Sequence, residues 1–333
     1  MTAAEEILVL GHHGLLGRAV REACGPGCRV IAGGRDSFDL ARMGRPASPV
    51  VPAAASALPG SETDQSLDWL RDELTGLGPS AADLHAGLDH LGSLLASGQV
   101  RLVINCAGYT DVDRAESEPE AALAANTQGA GAVARLCARH GVRLVHLSTD
   151  YVFDGQTRRP YREDDPARPL SVYGRSKLEG ERLVREHLPS ALIVRSAWLF
   201  GHGRENFIGK VLAQARAGRP FTVVEDQVGS PTYTMDLALA LVTLGRRGAS
   251  GLLHLVNAGQ ASRHELARQA LAIAGLDPEL VRPTTTAALA APAARPAWSV
   301  LDGRRAARLL GQPQPTWLDA LRRYLQTPEE NKA

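Results

Sequence analysis

The sequence has few of the features that mark secreted, membrane or nucleic-acid-binding proteins. No apolar run approaches the ~20 residues that cross a bilayer, and Glu5 and Glu6 lie where a signal peptide would be basic. The formal net charge of +1 gives no reason to expect nucleic acid or an anionic membrane as a partner. The four cysteines lack paired zinc spacing: Cys24, Cys28, Cys106 and Cys137. We therefore expect a cytoplasmic protein with free thiols and no bound metal.

The amino-terminal stretch has the pattern of a phosphate-binding turn. An apolar run at residues 7–10 leads into GHHGLLG, where Gly11, Gly14 and Gly17 precede a helical pattern. Glycines at such a place permit a tight turn, close approach of the backbone to a pyrophosphate and close packing of helix on strand. The helix N-terminus adds free N–H groups and a positive dipole end. The spacing is GxxGxxG rather than the commoner GxGxxG, but its context predicts a dinucleotide site.

The residues after the second predicted strand bear on the choice of dinucleotide. That strand, CRVIAG, is followed by Arg35 where an acidic residue would bind a ribose 2′-hydroxyl. A guanidinium binds a 2′-phosphate through two hydrogen bonds, which favours NADPH. The adjacent Asp36 leaves NADH as an alternative.

The rest of the chain alternates predicted strands and helices. An atypical insertion over about 41–80 begins with a stretch rich in Pro, Ala and Ser. Beyond it, helices are predicted over 119–140, 262–275 and 315–326. The alternation predicts an α/β fold, with a Rossmann-like doubly wound parallel sheet. We expect an NAD(P)-binding domain at 1–200 and a smaller C-terminal substrate-binding lobe at 201–330, partly interleaved with the sheet, because only the first part has a glycine fingerprint.

Residues 144–180 carry side chains suited to proton transfer. Tyr173 and Lys177 are four residues apart in a helical pattern, so they share one face of the helix. A neighbouring ammonium stabilises a phenolate, and we expect Lys177 to lower the pKa of Tyr173 in this way. Thr149 ends the preceding strand, where ligands of open α/β sheets bind. The pattern predicts catalysis by Thr149, Tyr173 and Lys177, although a Tyr and a Lys at this spacing also occur by chance.

With these motifs in order, the chain resembles the extended short-chain dehydrogenase/reductases, and within them the dTDP-4-dehydrorhamnose reductase family. The resemblance covers nearly the whole chain. It is carried by GHHGLLG, NCAGYT, YTDVDRAESEP, STDYVFDG, PLSVYGRSKLEGE, RSAWLFG, DQVGSPT and RPAWSVLD, which occur in the expected order. It implies NADPH-dependent reduction of the 4-keto group of a dTDP-4-keto-6-deoxysugar, with a proton from Tyr173, a hydrogen bond from Thr149 and Lys177 holding the nicotinamide ribose.

The resemblance also implies further binding residues. The cofactor-binding residues that it implies include the three glycines, Tyr173 and Lys177. The others are His13, Leu15, Leu16, Arg35, Asp39, Leu40, Ala107, Gly108, Tyr109 and Asn126. Asn126 is also implied as a helper of the catalytic residues through a bound water. Those implied for the sugar are Thr110, Val112, Asp150, Tyr151 and Trp198. Those implied for the nucleotide diphosphate are Asn206, Phe207, Gln227 and Arg295.

Two other functions remain open at this point. One is a 4-ketoreductase for a different dTDP-deoxysugar, because the motifs do not determine how the sugar ring is presented to the hydride. The other is a non-catalytic NADP-binding regulatory subunit, since some proteins of this fold act only as partners. A pure binding role needs no Thr149, Tyr173 and Lys177 together, which favours an enzyme. A homodimer is compatible with the sequence.

Overall fold

A six-stranded parallel sheet forms the centre of the protein. The structure, a computed structural model, describes residues 5–25, 28–32 and 80–327. The strands are β1 (Glu5–Leu10), β2 (Cys28–Ala32), β3 (Val100–Asn105), β4 (Arg143–Thr149), β5 (Leu192–Ser196) and β10 (Gly251–His254), in the order β10-β5-β4-β3-β1-β2. All five pairings are parallel. The chain starts at β1, adds β2 on one side and then β3 on the other, so the strand order reverses between β1 and β3. Ligands of such sheets bind at this switch point.

Helices cover both faces of the sheet. One face packs on α2 (Ser80–Ala96), α5 (Gly129–Arg139) and α6 (Val172–His187), and the other on α1 (Leu15–Ala23), α8 (Thr234–Arg246) and α11 (Arg304–Leu310). Side chains of a strand alternate between faces, and in β1 Leu8 and Leu10 join the first core while Ile7 and Val9 join the second. Burial on both sides explains the continuous apolar runs of these strands. The predicted doubly wound α/β fold is confirmed.

A smaller lobe has its own core. Its helices are α7 (Phe207–Arg216), α9 (Arg263–Ile273) and α12 (Trp317–Gln326), which bury Ile208, Leu266 and Leu321 against one another. Three short strand pairs frame it: β6 (Leu199–Phe200) with β9 (Thr232–Tyr233), β7 (Phe221–Val224) with β12 (Val281–Thr284), and β8 (Val228–Gly229) with β11 (Ala261–Ser262). The remaining helices are α3 (Val112–Ser117), α4 (Pro119–Leu123) and α10 (Thr286–Leu289).

Several predicted elements differ in detail from the structure. The helix predicted over 119–140 consists of α4, a π turn at Ala124–Gln128 and α5, while α9 and α12 confirm the helices predicted over 262–275 and 315–326. RSAWLFG predicts a strand that runs on to Trp198, but β5 ends at Ser196, because Trp198 has a φ of 49°, a left-handed conformation that breaks the strand. The insertion over 41–80 lies outside the described residues, apart from Ser80. In the described ranges, no helix is long and apolar enough to cross a membrane.

Candidate active site

The glycine turn lies at the switch point between β1 and β3. Gly11 has a φ of +73°, and a Cβ there would lie 2.7 Å from the Ala107 amide nitrogen. A Cβ on Gly17 would lie 2.3 Å from the Gly11 carbonyl oxygen. Neither position therefore admits a side chain, and the backbone is left open to a ligand. The turn ends at Gly14, the N-cap of α1, which has no side chain to cap the first N–H groups. This arrangement fits the diphosphate of a dinucleotide.

Asn126 joins the loop after β3 to helix α6. Its Oδ1 accepts from the Tyr109 amide at 2.9 Å, and its Nδ2 donates to the Tyr109 carbonyl and to Ser176 Oγ, both at 3.0 Å. The loop that contains Ala107 and Gly108 is thereby held against α6. Asn126 sits in the π turn, and such turns often occur at functional sites.

Thr149, Tyr173 and Lys177 line one cleft with the glycine turn. This cleft, which we call the central cleft, has a volume of about 540 Å³. Ser171 starts α6 by accepting from the Gly174 amide at 3.1 Å, so Tyr173 lies in the first turn and Lys177 in the second. The Lys177 ammonium donates to the Leu147 carbonyl of β4, whose last residue is Thr149. The structure thus brings the three predicted catalytic residues together.

A buried ion pair holds α6 on the sheet. Glu181, one turn beyond Lys177, accepts from Arg195 of β5 at 2.8 and 2.7 Å and also from Ser148 of β4. Arg195 and Glu181 are both buried, so the pair loses hydration and depends on this two-pronged geometry. It connects α6 to the two strands beneath it and so orients the helix that carries Tyr173.

Burial determines the protonation of the predicted catalytic residues Tyr173 and Lys177. It raises the pKa of Tyr173 well above the usual range of a phenol, and the opposing effect of the Thr149 hydroxyl is smaller. The expectation that the pKa of Tyr173 would be lowered is therefore wrong, because burial raises it and the nearby Asp150 and Tyr151 add to the rise. Burial lowers the pKa of Lys177 to about 8, against the opposing effects of Glu181 and Cys106. At neutral pH the phenol keeps its proton, the form that can donate to a ketone oxygen.

Asp150 is buried beside Thr149 and accepts two hydrogen bonds. The Thr149 hydroxyl donates to its Oδ1 at 3.1 Å, and the Ser299 hydroxyl donates to its Oδ2 at 2.6 Å. Burial raises the pKa of Asp150 to about 6, and the two hydrogen bonds and the charge of Arg263 act in the opposite direction. Asp150 therefore determines which way the Thr149 hydroxyl points.

The smaller lobe contributes an arginine and an indole to the central cleft. Arg263, the first residue of α9, places its guanidinium carbon 3.6 Å from the centroid of the Trp198 ring and 5.1 Å from that of Phe207. Such distances are typical of cation–π contacts. The Tyr151 hydroxyl interacts with Arg263 and with Arg295.

Most of the predicted site residues line the central cleft. They are Gly11, His13, Gly14, Leu15, Leu16, Gly17, Ala107, Gly108, Thr110, Val112, Asn126, Thr149, Asp150, Tyr151, Tyr173, Lys177 and Trp198. Three residues expected at the adenosine end, Arg35, Asp39 and Leu40, lie outside the described residues.

Five predicted residues do not line the cleft, because other parts of the protein hold them. The Tyr109 hydroxyl donates to Glu118 at 2.9 Å, and Asn206 caps α7 by accepting from the Ile208 amide at 3.0 Å. Gln227 donates to Thr286 at 3.0 Å, and Arg295 pairs with Asp113 at 2.7 Å. Phe207 packs beside the Arg263 guanidinium.

Sequence reasoning missed ten residues of the cleft wall. They are His12, Cys106, Leu147, Ser148, Ser196, Ala197, Leu199, Arg204, Glu205 and Arg263. Six of them lie within the quoted motifs, so taking each motif whole would have found them, and Leu147 directly precedes STDYVFDG. Glu205 belongs to the string ENF that supports the resemblance, whereas Arg204 and Arg263 carry no local signal. An arginine at the start of an amphipathic helix, such as Arg263, is ordinarily exposed. In the described part of the chain, no group of three His, Cys, Asp or Glu side chains could hold a metal ion.

Comparison with known proteins identifies the family. The model of the family described as the RmlD substrate binding domain matches residues 5–329. The chain belongs to this RmlD family. It is 42% identical over 273 residues to dTDP-4-dehydrorhamnose reductase of Streptomyces griseus, which covers 80% of this chain and 90% of the relative. It is 40% identical over 272 residues to a probable dTDP-4,6-dihydroxy-2-methyloxan-3-one 4-ketoreductase of Streptomyces antibioticus, covering 80% of this chain and 91% of that protein.

Solved structures of RmlD-like enzymes share the architecture. The crystal structure of dTDP-4-dehydrorhamnose reductase from Bacillus anthracis in complex with NADP superposes with a TM-score of 0.78 at 28% identity, covering 96% of this chain and 98% of that one. The family predicted from the motifs is therefore confirmed. The two relatives cover 80% of this chain and the Bacillus anthracis structure covers 96% of it. The likeness is therefore not restricted to the dinucleotide-binding part.

Proposed function

We propose that this RmlD-family protein reduces the 4-keto group of a dTDP-4-keto-6-deoxysugar with NADPH, and that it converts dTDP-4-dehydro-L-rhamnose to dTDP-L-rhamnose. The observation that carries the proposal is the meeting of Thr149, Tyr173 and Lys177 with the glycine turn in one cleft. The names of the relatives support the substrate class, and a solved relative in complex with NADP supports the cofactor. Arg35, from the sequence, supports NADPH, and NADH stays an alternative.

The residues of the cleft divide the chemistry between them. NADPH, when bound, supplies the hydride that reduces the ketone carbon. Gly11, Gly14 and Gly17 leave the backbone and the N-terminus of α1 open to the cofactor phosphates. Lys177, anchored on Leu147, lies where it can hold the nicotinamide ribose through its other N–H groups.

Proton transfer to the ketone oxygen falls to Tyr173. Its raised pKa keeps the proton on the phenol until negative charge develops on the ketone oxygen. Thr149 adds a second hydrogen bond to that oxygen when its hydroxyl turns away from Asp150. Because α6 fixes the place of Tyr173 and β4 that of Thr149, rotation of the Thr149 hydroxyl is the one rearrangement that this step asks of the two groups.

The substrate side of the site is part of the same proposal. Thr110, Val112, Asp150, Tyr151 and Trp198 lie around the cleft beside Tyr173 and would border the sugar. The division of the chain into a cofactor domain at 1–200 and a substrate lobe at 201–330 belongs to this proposal, and so do contacts from Asn206, Phe207, Gln227 and Arg295 to the nucleotide. A cytoplasmic location and a homodimer stay predictions from the sequence.

The test is NADPH oxidation, followed by absorbance, with dTDP-4-dehydro-L-rhamnose as the substrate. The wild-type protein should oxidise NADPH and form dTDP-L-rhamnose, identified by NMR. Tyr173→Phe should lower kcat by about a hundredfold or more, the scale of a lost general acid, with NADPH affinity little changed. Tyr161→Phe removes the same hydroxyl outside the cleft, where it donates to Asp154, and should leave kcat near the wild-type value.

The outcomes separate the alternative functions. Oxidation only with another dTDP-keto sugar would assign the protein to a different deoxysugar, an alternative favoured by the ketoreductase relative from Streptomyces antibioticus. Tight NADPH binding without oxidation of any keto sugar would indicate a regulatory subunit. Equal kcat for the wild type and Tyr173→Phe would remove Tyr173 from the chemistry.

A further inference from the structure

Arg263 is a cation of the central cleft, and the charge of Asp150 acts on it without a direct ion pair between the two. Among the described residues, no Asp or Glu oxygen forms an ion pair with it, and its contacts are the rings of Trp198 and Phe207 and the Tyr151 hydroxyl. Other arginines with little solvent contact do have such partners: Arg195 pairs with Glu181 and Arg295 with Asp113, both at 2.7 Å. Arg263 is partly buried, and this burial lowers its pKa against the opposing effect of the Asp150 charge.

The indole of Trp198 is built to hold this guanidinium. A Cβ on Gly229 would lie 2.5 Å from Trp198 Cε2, so only glycine permits the indole to pack at this place. The left-handed backbone of Trp198, with a φ of 49°, turns the side chain out of the strand direction. The guanidinium lies on the ring at 3.6 Å and therefore covers one face of the indole. That face is not free to stack on a sugar while Arg263 stays in place.

The position of Arg263 relative to the proton donor matches the shape of a sugar nucleotide. Tyr151 lies between them: its ring centroid is 5.6 Å from that of Tyr173, and its hydroxyl interacts with Arg263. The ketone carbon must lie at Tyr173, and the diphosphate is attached at C1, on the opposite side of the sugar ring. The guanidinium is thus one side chain removed from the proton donor, on the side of the smaller lobe.

We propose that Arg263 binds the diphosphate of the sugar nucleotide and that Trp198 holds its guanidinium in the required orientation. This inference rests on the proposed function, because the nucleotide sugar brings the diphosphate into the cleft. A planar guanidinium donates two parallel hydrogen bonds to phosphate oxygens, and its aromatic support reduces the entropy lost on binding. Arg263 thereby shares the role expected of Arg295, whose guanidinium is paired with Asp113.

The experiment compares the affinities of dTDP and thymidine by calorimetry. Arg263→Gln should lower the affinity for dTDP about 10- to 100-fold, the loss expected for one or two charge-assisted hydrogen bonds, and should leave the affinity for thymidine unchanged. Arg263→Lys keeps the positive charge but loses the two parallel N–H donors of the guanidinium, so its affinity for dTDP should lie between that of Arg263→Gln and that of the wild type. The control is Arg268→Gln on the same helix, whose exposed guanidinium pairs with Glu279 outside the cleft and should have no effect.

A double-mutant cycle tests the role of Trp198. Trp198→Leu by itself should lower the affinity for dTDP. The double variant Trp198→Leu with Arg263→Gln should bind dTDP no more weakly than Arg263→Gln alone, because Trp198 acts through the arginine. Additive losses would show that Trp198 contacts the ligand independently and would overturn this part of the proposal. With the keto sugar, KM should rise in Arg263→Gln by a larger factor than kcat falls.

Three results would overturn the role of Arg263. They are unchanged dTDP affinity in Arg263→Gln, an equal loss for thymidine and dTDP, and a loss of NADPH affinity, which would assign the guanidinium to the cofactor diphosphate. Should Arg263→Gln fail to fold, Arg263→Lys decides by the same ratio of dTDP to thymidine affinity. If the wild type reduces the keto sugar while these variants bind dTDP normally, only this inference fails. If the wild type neither binds dTDP nor reduces the sugar, the proposed function fails first.

Discussion

At the scale of single residues, loss of solvent changes the pKa values of side chains in the central cleft more than neighbouring charges do. The phenol of Tyr173 keeps its proton although Lys177 lies one helical turn away, and the ammonium of Lys177 is itself made less basic. The same effect makes Asp150 an acid of pKa about 6, whose two oxygens accept from Thr149 and Ser299. A buried carboxyl of this kind links the stability of the site to pH.

Asp150→Asn should remove a pH dependence that the wild type shows. Because the pKa of Asp150 is raised from 3.8 to about 6 in the folded protein, the folded state holds a proton more tightly than the unfolded state. Its stabilising contribution is complete below pH 3.8 and is lost as the pH rises through about 6. The difference in unfolding free energy, wild type minus Asp150→Asn, should fall by roughly 2–3 kcal/mol between pH 4 and pH 7 in urea denaturation.

Asp165 provides a control of the opposite sign. Its hydrogen bonds to Arg159 lower the pKa of its carboxyl to about 2, so its contribution grows as the pH rises and is nearly complete by pH 5. The difference in unfolding free energy, wild type minus Asp165→Asn, should therefore rise slightly as the pH rises through the range used for Asp150→Asn. A difference for Asp150→Asn that is flat or that rises with pH would contradict a buried acid of raised pKa.

At the scale of elements, the site depends on how closely α6 approaches the π turn at Ala124–Gln128. A Cβ on Gly180 would lie only 2.1 Å from the Asn126 carbonyl oxygen, so the helix packs backbone to backbone at this point. The same contact brings Asn126 Nδ2 to Ser176 Oγ. Helix α6 carries Tyr173 and Lys177, and the π turn holds the loop of Ala107 and Gly108 that lines the central cleft. The distance between these two elements therefore controls the geometry of the site.

Gly180→Ala should damage both stability and turnover. Alanine is favoured over glycine inside a helix by about 1 kcal/mol, but overpacking costs about 1–3 kcal/mol, and displacement of α6 moves Tyr173 relative to Thr149. We expect a loss of unfolding free energy in urea denaturation and at least a tenfold lower kcat, since small displacements of reacting groups cost about this much or more.

Gly209→Ala is the matched control for this substitution. Gly209 lies in α7, and a Cβ there meets no atom within 4 Å. This variant should be as stable as the wild type or up to about 1 kcal/mol more stable, with unchanged kcat. If Gly180→Ala behaved in the same way, the close approach of α6 to the π turn would not matter for the site.

At the scale of the whole molecule, the chain returns to its own central sheet after building part of the smaller lobe. Helix α8 packs against α1, and β10 pairs with β5, so residues from 234 onward complete a sheet that begins at Glu5. Leu237, Leu241 and Leu244 of α8 are buried on that face, each contributing roughly 1.5–3 kcal/mol. The cofactor side and the lobe therefore form one cooperative structure.

A fragment of residues 1–200 should not fold by itself. Without α8 and α11, one face of the sheet keeps only α1 as its cover, and without β10 the strand β5 becomes an exposed edge. We expect the fragment to aggregate and to show no NADPH binding by fluorescence, and co-expression with residues 201–333 to restore binding. A soluble fragment that binds NADPH like the full chain would contradict this interdependence.

Much of the fold and of the cleft could be predicted because the signals are local. The apolar run before Gly11, the helical spacing of Tyr173 and Lys177 and the alternation of strands and helices each lie within a short segment. What could not be predicted depends on contacts between distant segments: the pairing of Arg295 with Asp113, the ending of β5 before Trp198 and the presence of Arg263 in the cleft.

The sequence by itself determined the parallel α/β architecture and the glycine turn, and it pointed to Tyr173 as the proposed proton donor, because hydrophobic period and motif spacing act over a few residues. Only the tertiary structure decided how these groups behave. Burial, which depends on every element packed around the cleft, reversed the expected pKa of Tyr173 and raised that of Asp150. It also placed the guanidinium of Arg263 on Trp198, from a helix whose local sequence shows no sign of a binding role.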